Sequence, residues 1–194
     1  MIKKVYNYIV YYFRKYIFDT RTIIEAYRPV AKEINAIEPG IKIRVEKFSE
    51  KHIELLKNKM TGRKINIFKS RMNNDFYGFV LLTEKNDAAA FGWITFKDDI
   101  DPDTGMILVA GANGAVLLDD YTFDEYRGKS LQKYIYRLKL QKLQEMNLEH
   151  CRVAYLSDNT YSRKTMLTHG FIETHIWKII KIAGFSVKRR KEIS

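Results

Sequence analysis

The chain has 194 residues, 46% of them hydrophobic and 29% charged. That suffices for one ordinary domain with an extension, and it excludes two full-sized domains or a disordered polymer. Thirty-four Lys and Arg against 23 Asp and Glu leave a net charge of +11, a surface that attracts nucleic acid, anionic lipid, or phosphorylated cofactors and carriers. One cysteine, Cys151, cannot close an intrachain disulfide. The four histidines (52, 150, 169 and 175) include no helical i, i+4 pair, so no metal is expected.

Residues 1 to about 38 are predicted helical. Val5, Ile9, Phe13, Tyr16 and Ile17 recur at three- and four-residue steps, with Lys3, Lys4, Arg14, Lys15 and Arg21 as basic flanks. No small-residue cleavage site follows the basic start, and no apolar run reaches the roughly 18 residues of a spanning helix. A cytoplasmic protein is expected, with peripheral contact to a membrane as an option. The helix suits an anionic lipid surface, the protein's own sheet, or a second copy in a homodimer. Packing on protein is preferred, because Tyr6, Tyr8, Tyr11, Tyr12 and Tyr16 distribute around it. Glu38-Pro39-Gly40 breaks the pattern, which divides the chain into a helical extension (1–40), a main domain (41–185) and a frayed basic tail (186–194).

From Ile41 the period becomes two: Ile41, Ile43 and Val45 alternate with Lys42, Arg44 and Glu46 as a half-buried strand. Ser49 caps a short helix that ends before Gly62. Strand-like runs follow at Phe76 to Thr83 and Ala88 to Phe96, joined by a hairpin turn over Glu84 to Asp87. Asp98 to Gly105 is an acidic loop. Ala115 to Phe123 is a strand, Gly128 to Met146 a long helix, Cys151 to Leu156 a strand and Tyr161 to Thr168 a short helix, with strand again from Phe171. The order is mixed α/β (α+β), antiparallel in front and β-α-β-α-β behind.

Tyr126-Arg127-Gly128-Lys129-Ser130 lies where a strand passes into a helix. A glycine there permits a tight turn, the first helical N–H groups lack carbonyl partners, and Arg127 and Lys129 add charge, which together favour a phosphate. A P-loop would need glycine at position 123, where Phe123 stands, and is rejected. The same residues could also be solvated charges at a helix start.

Leu118-Asp119-Asp120-Tyr121-Thr122-Phe123-Asp124-Glu125-Tyr126-Arg127-Gly128-Lys129 resembles the fourth strand and phosphate loop of the GNAT superfamily of N-acetyltransferases, whose usual form is R-G-x-G-x-G/A. Asn159 to Ser162, closing on Gly170-Phe171, resembles that superfamily's N-x-x-[SA] helix. The resemblance covers about residues 41 to 185. It implies a mostly antiparallel central sheet flanked by helices, with the fold's fourth and fifth strands splayed to admit acetyl-CoA or another acyl-CoA. It also implies that Tyr121, Thr122 and Phe123 offer backbone to the pantetheine arm, and that Arg127, Gly128, Lys129, Ser130, Leu131 and Gln132 hold the pyrophosphate. Ser130 and Gln132 replace the second and third glycines, and Met166 replaces the tyrosine that often protonates the leaving thiolate.

Asn159, with Ser162, either hydrogen-bonds the pantetheine amide or caps its helix, and the two roles can coexist. Asp119 lies eight residues before the arginine, where a superfamily carboxylate often faces the acceptor. It is the candidate base, or it merely binds the acceptor. Alternation places Leu117, Asp119 and Tyr121 on one strand face and Asp120 and Thr122 on the other. Asp120 falls where an apolar residue is usual, and pairing with a basic residue of the following helix would explain it. His169 and Cys151 are read as structural.

The expected function is acyl transfer from acyl-coenzyme A to a primary amine of a small molecule, by direct attack in a ternary complex. Basic, tyrosine-rich leaders of similar kind suggest an amino-sugar acceptor by resemblance. The alternatives are longer-chain transfer from acyl carrier protein, or a degenerate fold that binds nucleic acid or membrane. Nucleic acid is the least expected partner.

Overall fold

The computed structural model describes residues 18–31, 33–74, 76–101, 104–182 and 185–193. The alternating run after Ile41 forms β2 (Ile43–Lys47), and the two apolar runs form β3 (Tyr77–Thr83) and β4 (Ala88–Thr95). Their hairpin turns where expected, with Asn86 in the left-handed region at φ 64°. The short hairpin of β5 (Asp99–Ile100) and β6 (Ile107–Leu108) precedes β7 (Gly114–Thr122). Between β2 and β3 lie α1 (Glu50–Leu56) and α2 (Gly62–Met72). After β7 come α3 (Leu131–Glu145), β8 (His150–Leu156), α4 (Thr160–Thr168), β9 (Ile172–Ile182) and β10 (Phe185–Glu192).

Residues 18–29 correct the expected helical extension. Phe18–Pro29 is a strand, β1, paired antiparallel with both β8 and β9 inside the sheet. The helical stripe ends at Ile17. Beyond it, Thr20, Thr22, Ile23, Ile24 and Tyr27 are β-branched or aromatic residues that fit a pleated surface. Residues 30–31 and 33–38 carry no helix either, and residues 1–17, with the apolar stripe and its basic flanks at residues 3–15, lie outside the described residues. The tail is also corrected: β10 pairs with β9 from Phe185 to Glu192. Arg190 of β10 bonds Glu25 at 3.1 Å, a buried carboxylate that also accepts from Arg152 and from Trp177 Nε1.

Among the described residues the eight-stranded sheet runs β10-β9-β1-β8-β7-β4-β3-β2, and only β7 and β8 pair in parallel. On one face, α1 and α2 bury Ile53, Leu56, Ile65 and Phe68 against Phe91 and Trp93. On the other, α3 buries Leu131 and Ile135 against Ala89 and Ala90, whose small side chains admit the helix. Helix α2 has no counterpart in the sequence reading. Thr61 Oγ1 accepts from Lys64 N at its start, and Ile65 and Phe68 form its buried face. Among the described residues no helix is long and apolar enough to cross a membrane.

Candidate active site

Parallel pairing of β7 with β8 runs from Gly114–His150 to Leu117–Val153 and stops, although β7 continues to Thr122 and β8 to Leu156. Past that point the two strands part. A cavity of ≈ 300 Å³ fills the gap and reaches both faces of the sheet, from Lys64 and Arg71 of α2 to Gln132 and Tyr136 of α3.

A bulge shapes the β7 wall. Leu118 pairs with Trp93 and Tyr121 with Phe91, so Asp119 and Asp120 together stand opposite Gly92. Asp119 takes up the extra residue in the left-handed region, at φ 51°. This corrects the alternation expected from the sequence. Leu117 packs in the core under α3, whereas Asp119 meets α2, so the two lie on opposite faces. Tyr121 does share the face of Asp119, its ring stacked on Phe91 at 5.7 Å.

Asp119 is held by two cations, Lys64 Nζ at 2.5 Å and Arg71 Nη1. Burial raises its carboxyl, but Arg71 and Lys64 outweigh that and hold it below the ordinary range. Asp99 of β5 lines the same end of the cavity. Burial raises its carboxyl, opposed by Arg71 and reinforced by Asp101 and Asp119. The sequence reading took Asp99 only as part of an acidic loop. Asp120 points the other way, into an ion pair with Lys139 of α3 as its strand position suggested. Burial pushes Asp120 up and Lys139 down, and Lys139 also donates to Leu118 O at 3.0 Å. A Cβ on Gly92 would overlap the Asp120 carboxylate.

The expected cofactor residues divide into two groups. Asn159, Ser162 and Gln132 line the cavity, with buried Met166. Asn159 caps α4 by accepting from Ser162 N at 3.0 Å, which leaves its NH2 group to donate elsewhere. Arg127, Gly128, Lys129 and Ser130 are exposed, while Leu131 is buried against the sheet. Gly128 has φ 74°, and a Cβ there would meet nothing within 4 Å. Ser130, at φ 57°, makes no side-chain cap. Among the described residues, the backbone N–H groups of residues 128–133 find no hydrogen-bond acceptor. The loop is braced from behind by Gly40 N, which donates to Lys129 O at 2.8 Å. Arg127 pairs with Asp124 at 2.7 Å. Phe123 is committed elsewhere: its N–H donates to Ala89 O at 3.0 Å and its ring is buried. Buried Thr122 Oγ1 has no hydrogen-bond partner.

His169 and Cys151 are structural. His169 Nε2 meets Lys133 O at 2.9 Å, and burial lowers its pKa to about 4. Cys151 sits in the core, its thiol pushed up to about 12 by burial. Among the described residues no group of three or more His, Cys, Asp or Glu could hold a metal ion.

No protein-family model and no curated sequence matches the chain. Solved structures do. A tandem GNAT protein from the clavulanic acid biosynthesis pathway is similar over 89% of this chain and 56% of its own, with a TM-score of 0.61 and 13% identity. A GCN5-related N-acetyltransferase from Sphaerobacter thermophilus is similar over 96% of this chain and 56% of its own, with a TM-score of 0.61 and 10% identity. The chain thus spans little more than half the length of these two. An aminoglycoside N-acetyltransferase, AAC(6')-Iy, solved in complex with CoA, is similar over 67% of this chain and 92% of its own, with a TM-score of 0.52 and 13% identity. The fold is that of the GNAT N-acetyltransferases.

Proposed function

We propose that this chain is an N-acyltransferase that moves an acyl group, acetyl by default, from acyl-coenzyme A to a primary amine of a small molecule in a ternary complex. The observation that carries this reading is the parting of β7 from β8, with the N–H groups of residues 128–133, unpaired among the described residues, at the start of the helix that lines the opening. A diphosphate fits that loop. Its free donors lie at a helix start, Gly128 leaves open space outside the backbone, and Arg127 and Lys129 supply charge. The edge of β7 beyond Leu117 is not paired with β8; the Leu118 carbonyl takes Lys139 Nζ, and the backbone groups past it, like the NH2 group of Asn159, can meet an extended amide-bearing arm.

When bound, acyl-coenzyme A supplies the thioester carbon that accepts the amine and the sulfur that leaves. The chain must bring the amine there deprotonated. Asp119 serves this as an anchor rather than as the base, because two cations make its carboxylate weakly basic. Asp99, raised by burial and by its acidic neighbours, is the better proton acceptor. Among the described residues that line the cavity, no side chain is well placed to protonate the sulfur. Met166 has no acidic proton, the Tyr155 hydroxyl donates to Glu173 at 2.6 Å, and the Tyr136 hydroxyl is turned to Asp120. The nitrogen gains the acyl group as the C–S bond breaks. An amine that arrives as an ammonium sheds two protons: Asp99 takes the first before attack, the second passes to solvent once the C–N bond has formed, and the departing thiolate is protonated from solvent.

Calorimetric titration with acetyl-CoA and with S-acetylpantetheine, which lacks the diphosphate, tests the reading. Acetyl-CoA should bind at least about 100-fold more tightly, the worth of two or more charge-assisted hydrogen bonds. No binding at millimolar acetyl-CoA overturns it.

A further inference from the structure

We propose that the acceptor is a small amino-carboxylate, a zwitterion of the amino-acid type, whose carboxylate takes the place of Asp119 on Lys64 and Arg71. This rests on the acyltransferase reading only for which end of the cavity receives the acceptor. The α2 end of the cavity already holds a carboxylate between an ammonium and a guanidinium. Both cations are built in. Arg71 is 11% exposed, its guanidinium 5.5 Å from the Phe76 ring and 5.8 Å from that of Trp93, and Lys64 lies 5.7 Å from the Phe68 ring. A purely cationic amine could pair with Asp99 or Asp101, which line the same cavity, but it would have no partner to offer Lys64 and Arg71, whereas an acceptor that carries its own carboxylate does.

A zwitterion satisfies every charge. Its carboxylate pairs with Lys64 and Arg71, taking over the contacts that Lys64 Nζ and Arg71 Nη1 now make to Asp119. Asp119, released, pairs with the incoming ammonium, and Asp99 stands at the same end of the cavity without a hydrogen bond or salt bridge among the described residues. The two ion pairs of Asp119 are exchanged for three, and no buried charge is left alone. The cavity, ≈ 300 Å³ in all and shared with the donor's arm, limits the acceptor to amino-acid size. Ile67, Met106 and Leu108 line it, a surface for an apolar side chain.

The test needs no acyl donor. Saturation-transfer NMR and thermal shift are recorded on the full chain with the common L-amino acids, each beside its carboxamide, and with spermidine and glucosamine. At least one amino acid should bind about tenfold or more tightly than its amide. Lys64→Gln should erase that preference, and Arg71→Gln should do the same if it folds. Amide and acid binding equally, no amino acid binding at all, tighter binding of spermidine or glucosamine, or an acid preference that survives in Lys64→Gln each overturns the proposal. Parallel calorimetry with acetyl-CoA separates the two readings. Acetyl-CoA bound without an amino acid defeats only the acceptor proposal, and an amino acid bound without acetyl-CoA defeats only the acyltransferase reading.

Discussion

Asp120 and Lys139 form an ion pair with 5% and 0% of their side chains exposed, in the space left by the missing Cβ of Gly92. Removing one member of such a pair strands a charge away from water. Lys139→Met should cost about 3–5 kcal/mol of unfolding free energy, and adding Asp120→Asn should recover most of it. Urea unfolding of the single and double variants decides this. Equal losses in both would mean that the pair contributes little.

His169 makes stability depend on pH. Its folded pKa of about 4 lies below its ordinary 6.5, so the unfolded chain binds more protons between those values. Stability therefore falls as pH drops from 6.5 to 4, by roughly 3 kcal/mol at about 1.4 kcal/mol per pH unit. His169→Gln should flatten that part of the curve. A profile that keeps its slope in the variant would assign it to other groups.

At the phosphate loop, Gly128→Val should weaken acetyl-CoA binding at least about tenfold, through its positive φ and a side chain placed where the diphosphate is proposed to lie. Arg127→Ala should cost about 1.5–3 kcal/mol of binding. Because Arg127 is shared with Asp124, Asp124→Ala should instead tighten binding. Titration of the three variants gives all three signs, and unchanged affinity in Gly128→Val would place the diphosphate elsewhere.

The two carboxylates of the α2 end should separate by kinetics. Asp99→Asn is expected to lower turnover by about 10²–10⁴-fold, the range for loss of a general base. Asp119→Asn should act mainly on KM. It should also move the acidic limb of the kcat/KM profile to lower pH, since it removes a charge that raises Asp99 and frees Arg71, which lowers it. An acidic limb unmoved in Asp119→Asn would separate the two groups.

Truncation to Gly40 deletes β1 from between β8 and β9 and leaves two long strand edges unpaired. The shortened chain should aggregate or lose its cooperative thermal transition. A soluble product with an intact transition would show that β1 is dispensable.

Elements whose signal is local were legible in the sequence. The alternation around Val45, the hairpin at Asn86, the strand-to-helix turn at Gly128 and the cap at Asn159 each depend on residues within a few positions of one another, and each formed where it was read. Helix α2 has no counterpart in the sequence reading, although Thr61, Ile65 and Phe68 give it a cap and a short apolar face, because most of its other residues are polar. What the sequence could not contain is which partner a residue meets. Phe18–Pro29 became a strand because β8 and β9 offered it two edges, a pairing across more than a hundred residues. The bulge opposite Gly92 turned Asp119, the expected base, toward Lys64 and Arg71, with which it forms ion pairs. Local backbone preference acts between neighbours along the chain. The ionisation of a carboxylate depends on charges a few ångströms away in space, and only the folded sheet brings those charges together.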